Sequence, residues 1–132
     1  MFEILPIQSK TEQEALCRRC GVPFRADLLC YRATVDGQFY GVCQFAVKAD
    51  GGEITDFAWL NDRPYDFETL LILGRATLNF IDLCGVHKAF FDAECQNEKL
   101  VKAIGFSKNQ AGRWEIDLTD FFIDHCKNHK SP

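Results

Sequence analysis

The sequence has no basic stripe. Its 15 Lys and Arg stand against 19 Asp and Glu, a net charge of −4, and the cations occur singly or in pairs. Such a chain is not built to follow a phosphate backbone, which argues against a nucleic-acid partner. Nor is there an apolar run able to cross a bilayer. The longest candidate, residues 67–85, is broken by Glu68, Arg75 and Asp82, so no membrane partner is expected. Residues 1–10 lack the basic segment and long apolar stretch of a secretion signal, and a cytoplasmic protein is expected. Low-complexity tracts, internal repeats and Pro/Gly/Ser-rich linkers are absent as well. One domain is therefore expected over residues 1–120, with 121–132 as a C-terminal tail. The sequence also contains no phosphate-cradling P-loop and no Ser/His/Asp order suited to nucleophilic catalysis.

What is present suits a packed domain. Hydrophobic residues make up 47% of the chain, and 12 Phe and two Trp can fill a core without covalent staples. There are seven Cys; an odd number cannot all pair within one chain, and in a reducing compartment they stay thiols. Cys30, Cys43 and Cys84 lie among apolar neighbours and read as small core residues.

Punctuation divides the chain into elements. A strand over residues 2–7 is followed by Ser9-Lys10-Thr11-Glu12, a capping box opening a helix that Gly21 and Pro23 stop. Strands over 28–35 and 38–47 flank Asp36-Gly37, a hairpin turn. Asp50-Gly51-Gly52 turns the chain into a further strand, 53–60. Asp66 then caps a long helix, with Glu68 in its first turn, running to about Cys84. Phe67, Leu70, Leu71, Leu78 and Ile81 share one face, so this helix lies across the sheet. Gly74 in its middle costs about 1 kcal/mol relative to Ala and implies a close approach there. A strand over 87–93, a helix over 98–104 and a final hairpin over 106–118 complete the order β-α-β-β-β-α-β-α-β-β. A meander followed by a βαβ crossover predicts an α/β (α+β) domain. Its mixed, mostly antiparallel sheet has six to seven strands, with helices on both faces.

This order resembles that of the GNAT N-acetyltransferase superfamily, and several segments agree locally. Tyr31 to Phe45, with Asp36-Gly37 and Gly41-Val42, is similar to the family's second and third strands; Glu53 to Leu60 resembles its fourth. Gly85-Val86-His87-Lys88-Ala89-Phe90 resembles the end of its long helix and its fifth strand. Leu100 to Phe106 resembles its closing helix with the terminal Gly-Phe. The resemblance implies acyl transfer from acetyl-CoA or another acyl-CoA to an amine: a small molecule, a protein N-terminus or a lysine. It also admits a homodimer. The cofactor would lie between the fourth and fifth strands, touching Ala58, Trp59, Leu60, Arg63 and Asn97. Two departures favour a second reading, a non-catalytic module that keeps the cleft for another ligand or a partner protein. The family's diphosphate motif is Arg or Gln, two residues, Gly, one residue, Gly or Ala; here Arg63 is matched, but Asp66 and Glu68 replace the small residues. Val101 stands where the family often has an acidic Tyr.

Three groups carry open alternatives. Strand alternation puts Asp56 on the face of Ile54, Ala58 and Leu60, where desolvation would raise its pKa and make it a general base. It is otherwise a structural carboxylate, exposed by a bulge or paired with an Arg. Glu53, Asp92 and Glu94 are weaker candidates at strand ends. Asn97 is a coenzyme contact or a helix cap. Cys17 and Cys20 form a C-x-x-C that, with Cys126 and His129, offers a metal-ligand set; the plainer reading is core packing beside a polar tail, and no metal is assigned. His87 is read as a hydrogen-bonded or solvent-facing side chain.

Overall fold

The chain builds one seven-stranded sheet in the order β1-β2-β3-β4-β5-β7-β6, in a computed structural model that describes residues 1–95 and 97–122. Its elements are β1 (Phe2–Pro6), α1 (Lys10–Arg19), β2 (Leu29–Val35), β3 (Gln38–Lys48), β4 (Gly51–Trp59), α2 (Phe67–Leu83), β5 (Lys88–Phe91), α3 (Glu98–Ile104), β6 (Ser107–Lys108) and β7 (Trp114–Asp117). All neighbouring pairs are antiparallel except β4 with β5. The β2–β3 turn is made by Asp36 and Gly37 at φ 52 and 80, the left-handed pair such a hairpin requires.

Two apolar clusters separate the faces. Ile7, Cys17, Cys30 and Val42 seat α1 on one face. Cys43, one residue on from Val42, meets Thr77 of α2 on the other, with Phe45, Ile54, Leu73 and Ile81 in the larger cluster. Residues 40–45 of β3 are therefore all buried, as expected of a central strand covered on both sides. Ser9 caps α1 by accepting from the Glu12 amide at 3.2 Å. Glu12, expected to complete the box, accepts from Arg32 instead.

The approach implied by Gly74 is to α3: an added Cβ would lie 2.5 Å from Ile104 Cδ1. Arg75 beside it donates to the last carbonyls of α3, Ile104 at 2.6 Å and Ala103 at 2.9 Å. Its guanidinium stands over Phe121, and Phe121 and Phe122 pack against the main core. Two burial expectations are corrected. Phe67, at the first position of α2, is 39% exposed and lines a cleft. Cys84 is the C-cap of α2 and is exposed, as is Leu83 beside it.

Candidate functional site

The parallel pair β4–β5 holds only from Gly52↔Ala89 to Ile54↔Phe91. The last tie is the Asp92 amide to the Ile54 carbonyl, 2.8 Å. Beyond it β4 continues to Trp59 with β3 as its only strand partner among the described residues, while the chain after β5 turns towards α3. In an antiparallel ladder alternate residues direct their N–H and C=O away from the partner strand. The outgoing half of β4 thus offers a free backbone edge to the gap. Two clefts occupy that region. One of about 460 Å³ has Arg25, Thr55, Asp56, Phe57, Asp92 and Glu94 in its walls. The other, of about 250 Å³, is lined by Cys20, Ala58, Trp59 and Cys95 among others.

A β-bulge decides which side chains enter. Phe45 faces Ile54 across the β3–β4 ladder, and the next pair is Gln44 with Asp56, so Thr55 is an extra residue. The inserted residue reverses the alternation. Asp56 lies with Gln44, and Ile54 lies with Phe45 in the α2-side core. The expectation that Asp56 shares the face of Ile54 is therefore corrected. Nor is Asp56 a lone carboxylate in an apolar setting. It is 7% exposed but accepts from Arg25 Nε at 2.6 Å, Arg25 Nη2 at 3.4 Å and Gln44 Nε2 at 2.8 Å. Arg25 and Gln44 were not singled out in the sequence, although a Gln inside the apolar run of β3 is itself a signal, since a buried amide needs partners. Gln44 also donates to the Pro23 carbonyl and accepts from Gln13 and the Arg25 amide. The Arg25 guanidinium is held further into its charged form by this pairing with Asp56.

The remaining acidic candidates differ from one another. Glu53 binds Lys48 and Arg113. Asp92 is gripped by two nitrogens of Arg113, at 2.9 and 2.8 Å, which pushes the Arg113 pKa up. Glu94 is exposed in the cleft wall and has no ion-pair or hydrogen-bond partner among the described residues. His87 bonds Asp82 at 2.7 Å, away from the gap.

At the far end of β4, Leu60 is buried and donates its amide to the Tyr40 carbonyl. The Tyr40 hydroxyl accepts from the Asp66 amide at 2.8 Å, so Tyr40 fixes both ends of the loop; burial pushes its phenol pKa up. Arg63 donates to Gln38. Asp66 is the N-cap of α2, accepting from Thr69 N at 3.0 Å, with Glu68 in the first turn. Trp59 packs on Tyr65. Asn97 caps α3 through Leu100 N and donates to Tyr65 Oη at 2.7 Å, tying the loop to the other side of the gap. Ala58 and Trp59 are half-buried. Val101 is 1% exposed and belongs to the core.

The thiols do not form a described metal site. Among the described residues no group of three His, Cys, Asp or Glu could hold a metal ion; Cys126 and His129 lie outside those residues. Cys17 is buried. Burial pushes the Cys20 thiol, and the fully buried Cys43 thiol, up to about 12, which leaves little reactive thiolate at neutral pH. Iodoacetamide labelling of the native chain, followed by peptide mass spectrometry, should therefore modify Cys84 well before Cys20, with Cys17, Cys30 and Cys43 labelled only after unfolding. Equal rates for Cys84 and Cys43 would contradict the packing described.

No protein-family model matches the sequence, and no curated protein matches it. Solved structures do match. The ribosomal-protein-S18-alanine N-acetyltransferase of Escherichia coli is 13% identical, with a TM-score of 0.65 over 89% of this chain and 94% of that one. The PaiA N-acetyltransferase of Thermoplasma acidophilum, solved with coenzyme A, is 12% identical, with a TM-score of 0.65 over 89% and 99%. The spermidine/spermine N-acetyltransferase SpeG of Vibrio cholerae is 9% identical, with a TM-score of 0.68 over 99% and 100%. The chain has the GNAT N-acetyltransferase fold.

Proposed function

We propose that this chain is an acyl-CoA-dependent N-acyltransferase acting on an amine held between β4 and β5. The observation that carries the reading is the free backbone edge of β4 beside an open cleft, beyond the last β4–β5 pair at Ile54 and Phe91. An extended amide-bearing arm can add to such an edge as a strand does. GNAT-fold structures that hold coenzyme A or acetyl-CoA support it.

The residues fit the two ends of that cofactor unequally. The β4 edge suits the thioester arm. At the start of α2, where the fold would place the diphosphate, the donors are few and the charge is wrong: Asp66 has taken one helix amide as its own cap, and Glu68 and Asp62 add two carboxylates. Weak cofactor binding follows. When bound, an acyl-CoA supplies an acyl thioester. The chain's own part is to hold the arm on β4, to pair the incoming ammonium with the free carboxylate of Glu94 and to pass its proton to solvent from there. Asp56, tied to Arg25 and Gln44, is given a positioning role and not that of base.

The test is thiol release from acetyl-CoA in the presence of an amine panel, with the acetylated product identified by mass spectrometry. Release that depends on both the chain and an amine, and falls in Glu94→Gln, is the expected result. The second reading, a non-catalytic module, draws on the α2 carboxylates and on Val101. It prevails if no acetyl-CoA binds even after those carboxylates are neutralised.

A further inference from the structure

The 460 Å³ cleft between β4 and the segment after β5 carries one open cationic edge and one free carboxylate. Arg25 meets Asp56 side-on, through Nε at 2.6 Å and Nη2 at 3.4 Å. Asp56 is itself held by the buried Gln44. This support fixes the guanidinium plane. A guanidinium presents two donor forks; the side-on fork is used here, and Nη1 has no partner among the described residues. Arg25 remains 40% exposed and lines the cleft. Of the two other carboxylates that line the cleft, Asp92 is taken by Arg113 and Glu94 has no partner among the described residues. Asp56 offsets the charge of Arg25 and Asp92 that of Arg113, so what Arg25 offers the cleft is its unused donor fork, and Glu94 carries the uncompensated charge. Val22, Pro23, Phe57 and Ala93 supply apolar wall.

We infer that the molecule bound in this cleft is an α-amino acid with an apolar side chain. Its carboxylate is received by the open fork of Arg25, its ammonium by Glu94 and its side chain by the apolar wall. A polyamine would leave the open donor fork of Arg25 without an acceptor, and a dicarboxylate would meet Glu94. A zwitterion satisfies both groups and adds no net charge to the cleft. The fate of the amine rests on the acyltransferase reading; the binding does not.

The test is titration of the full chain, without acyl donor, followed by NMR. The probes are L-leucine, L-methionine and L-phenylalanine, their carboxamides, and spermidine. At least one free acid is expected to bind about tenfold or more tightly than its amide, the size of a charge-assisted bidentate contact. Arg25→Gln should bring that acid down to the level of its amide, and Glu94→Gln should weaken acid and amide alike. Thermal melting shows whether Arg25→Gln is folded. If it is not, the acid–amide comparison on the wild type and the exposed Glu94→Gln variant decide. Amides or spermidine binding as tightly as the acids, or no acid binding, overturns the inference. An acetyl-CoA assay on the same probes separates the two readings. Acids that bind but are never acetylated leave the amino-acid site and sink the transferase; acetylation of spermidine alone does the reverse.

Discussion

Asp66→Asn combined with Glu68→Gln is expected to tighten acetyl-CoA binding by about two orders of magnitude at low salt. The first amides of a 17-residue helix such as α2 carry partial positive charge and form a ready anion site. Here that charge is already answered by Asp66, whose carboxylate accepts from Thr69 N, and by Glu68 in the first turn. One carboxylate 4 Å from a phosphate oxygen costs roughly 4 kcal/mol at an effective dielectric of about 20. Glu68 is exposed and Asp66 half-buried, so solvent and salt reduce this, leaving about 3 kcal/mol for the pair. Asn is as good an N-cap as Asp, so the double substitution changes the charge and keeps the helix start. Calorimetric titration should give weak wild-type binding and a gain in the variant that shrinks as salt is raised. Micromolar wild-type binding with no gain in the variant would mean that the diphosphate never meets this helix.

The fold was legible because its punctuation is local. Ser9, Asp66 and Asn97 were readable as caps, and each accepts from the amide three residues on. Asp36-Gly37 and Gly105 announced a turn and a helix end through residues that tolerate positive φ, and adopt it. The parallel β4–β5 pair followed from the βαβ crossover. The candidate site was less legible, because it depends on register and on partners distant in sequence. Thr55 is an ordinary strand residue; only its lack of a counterpart on β3 makes it a bulge, and that one residue moves Asp56 to the opposite face. Arg25 sits in a segment with no periodicity and reaches a carboxylate 31 positions away. Glu94 stands out only because its neighbours are paired and it is not. Cys84 looked buried by composition, but it ends a helix whose last residues face solvent.

Gln44→Leu should lower the unfolding free energy by about 3 kcal/mol or more, the largest stability effect expected from a single polar side chain here. Gln44 is fully buried and serves four groups at once. Its Nε2 donates to the Pro23 carbonyl and to Asp56, each at 2.8 Å; its Oε1 accepts from Gln13 at 2.9 Å and from the Arg25 amide at 3.0 Å. Leu fills nearly the same volume, so the transfer and cavity terms are small and the loss is polar. Asp56 keeps Arg25, and Gln13 keeps the carbonyls of Arg25 and Leu28. Among the described residues the Pro23 carbonyl and Arg25 amide have no other hydrogen-bond partner, and each partly buried group left unpaired costs about 1–3 kcal/mol. For a chain of this size that is a fall of roughly 10 °C in Tm. Denaturant unfolding should show a lower midpoint with an unchanged slope, since the surface exposed on unfolding is the same. Gln13→Leu/Gln44→Leu should cost less than the two single changes summed, because the amide pair is removed whole and no longer leaves one half stranded. A Gln44→Leu variant melting within two or three degrees of the wild type, a shift of less than about 1 kcal/mol, would show that solvent enters beneath residues 21–28 and replaces these bonds, and Arg25 would then lose the support that orients it in the cleft.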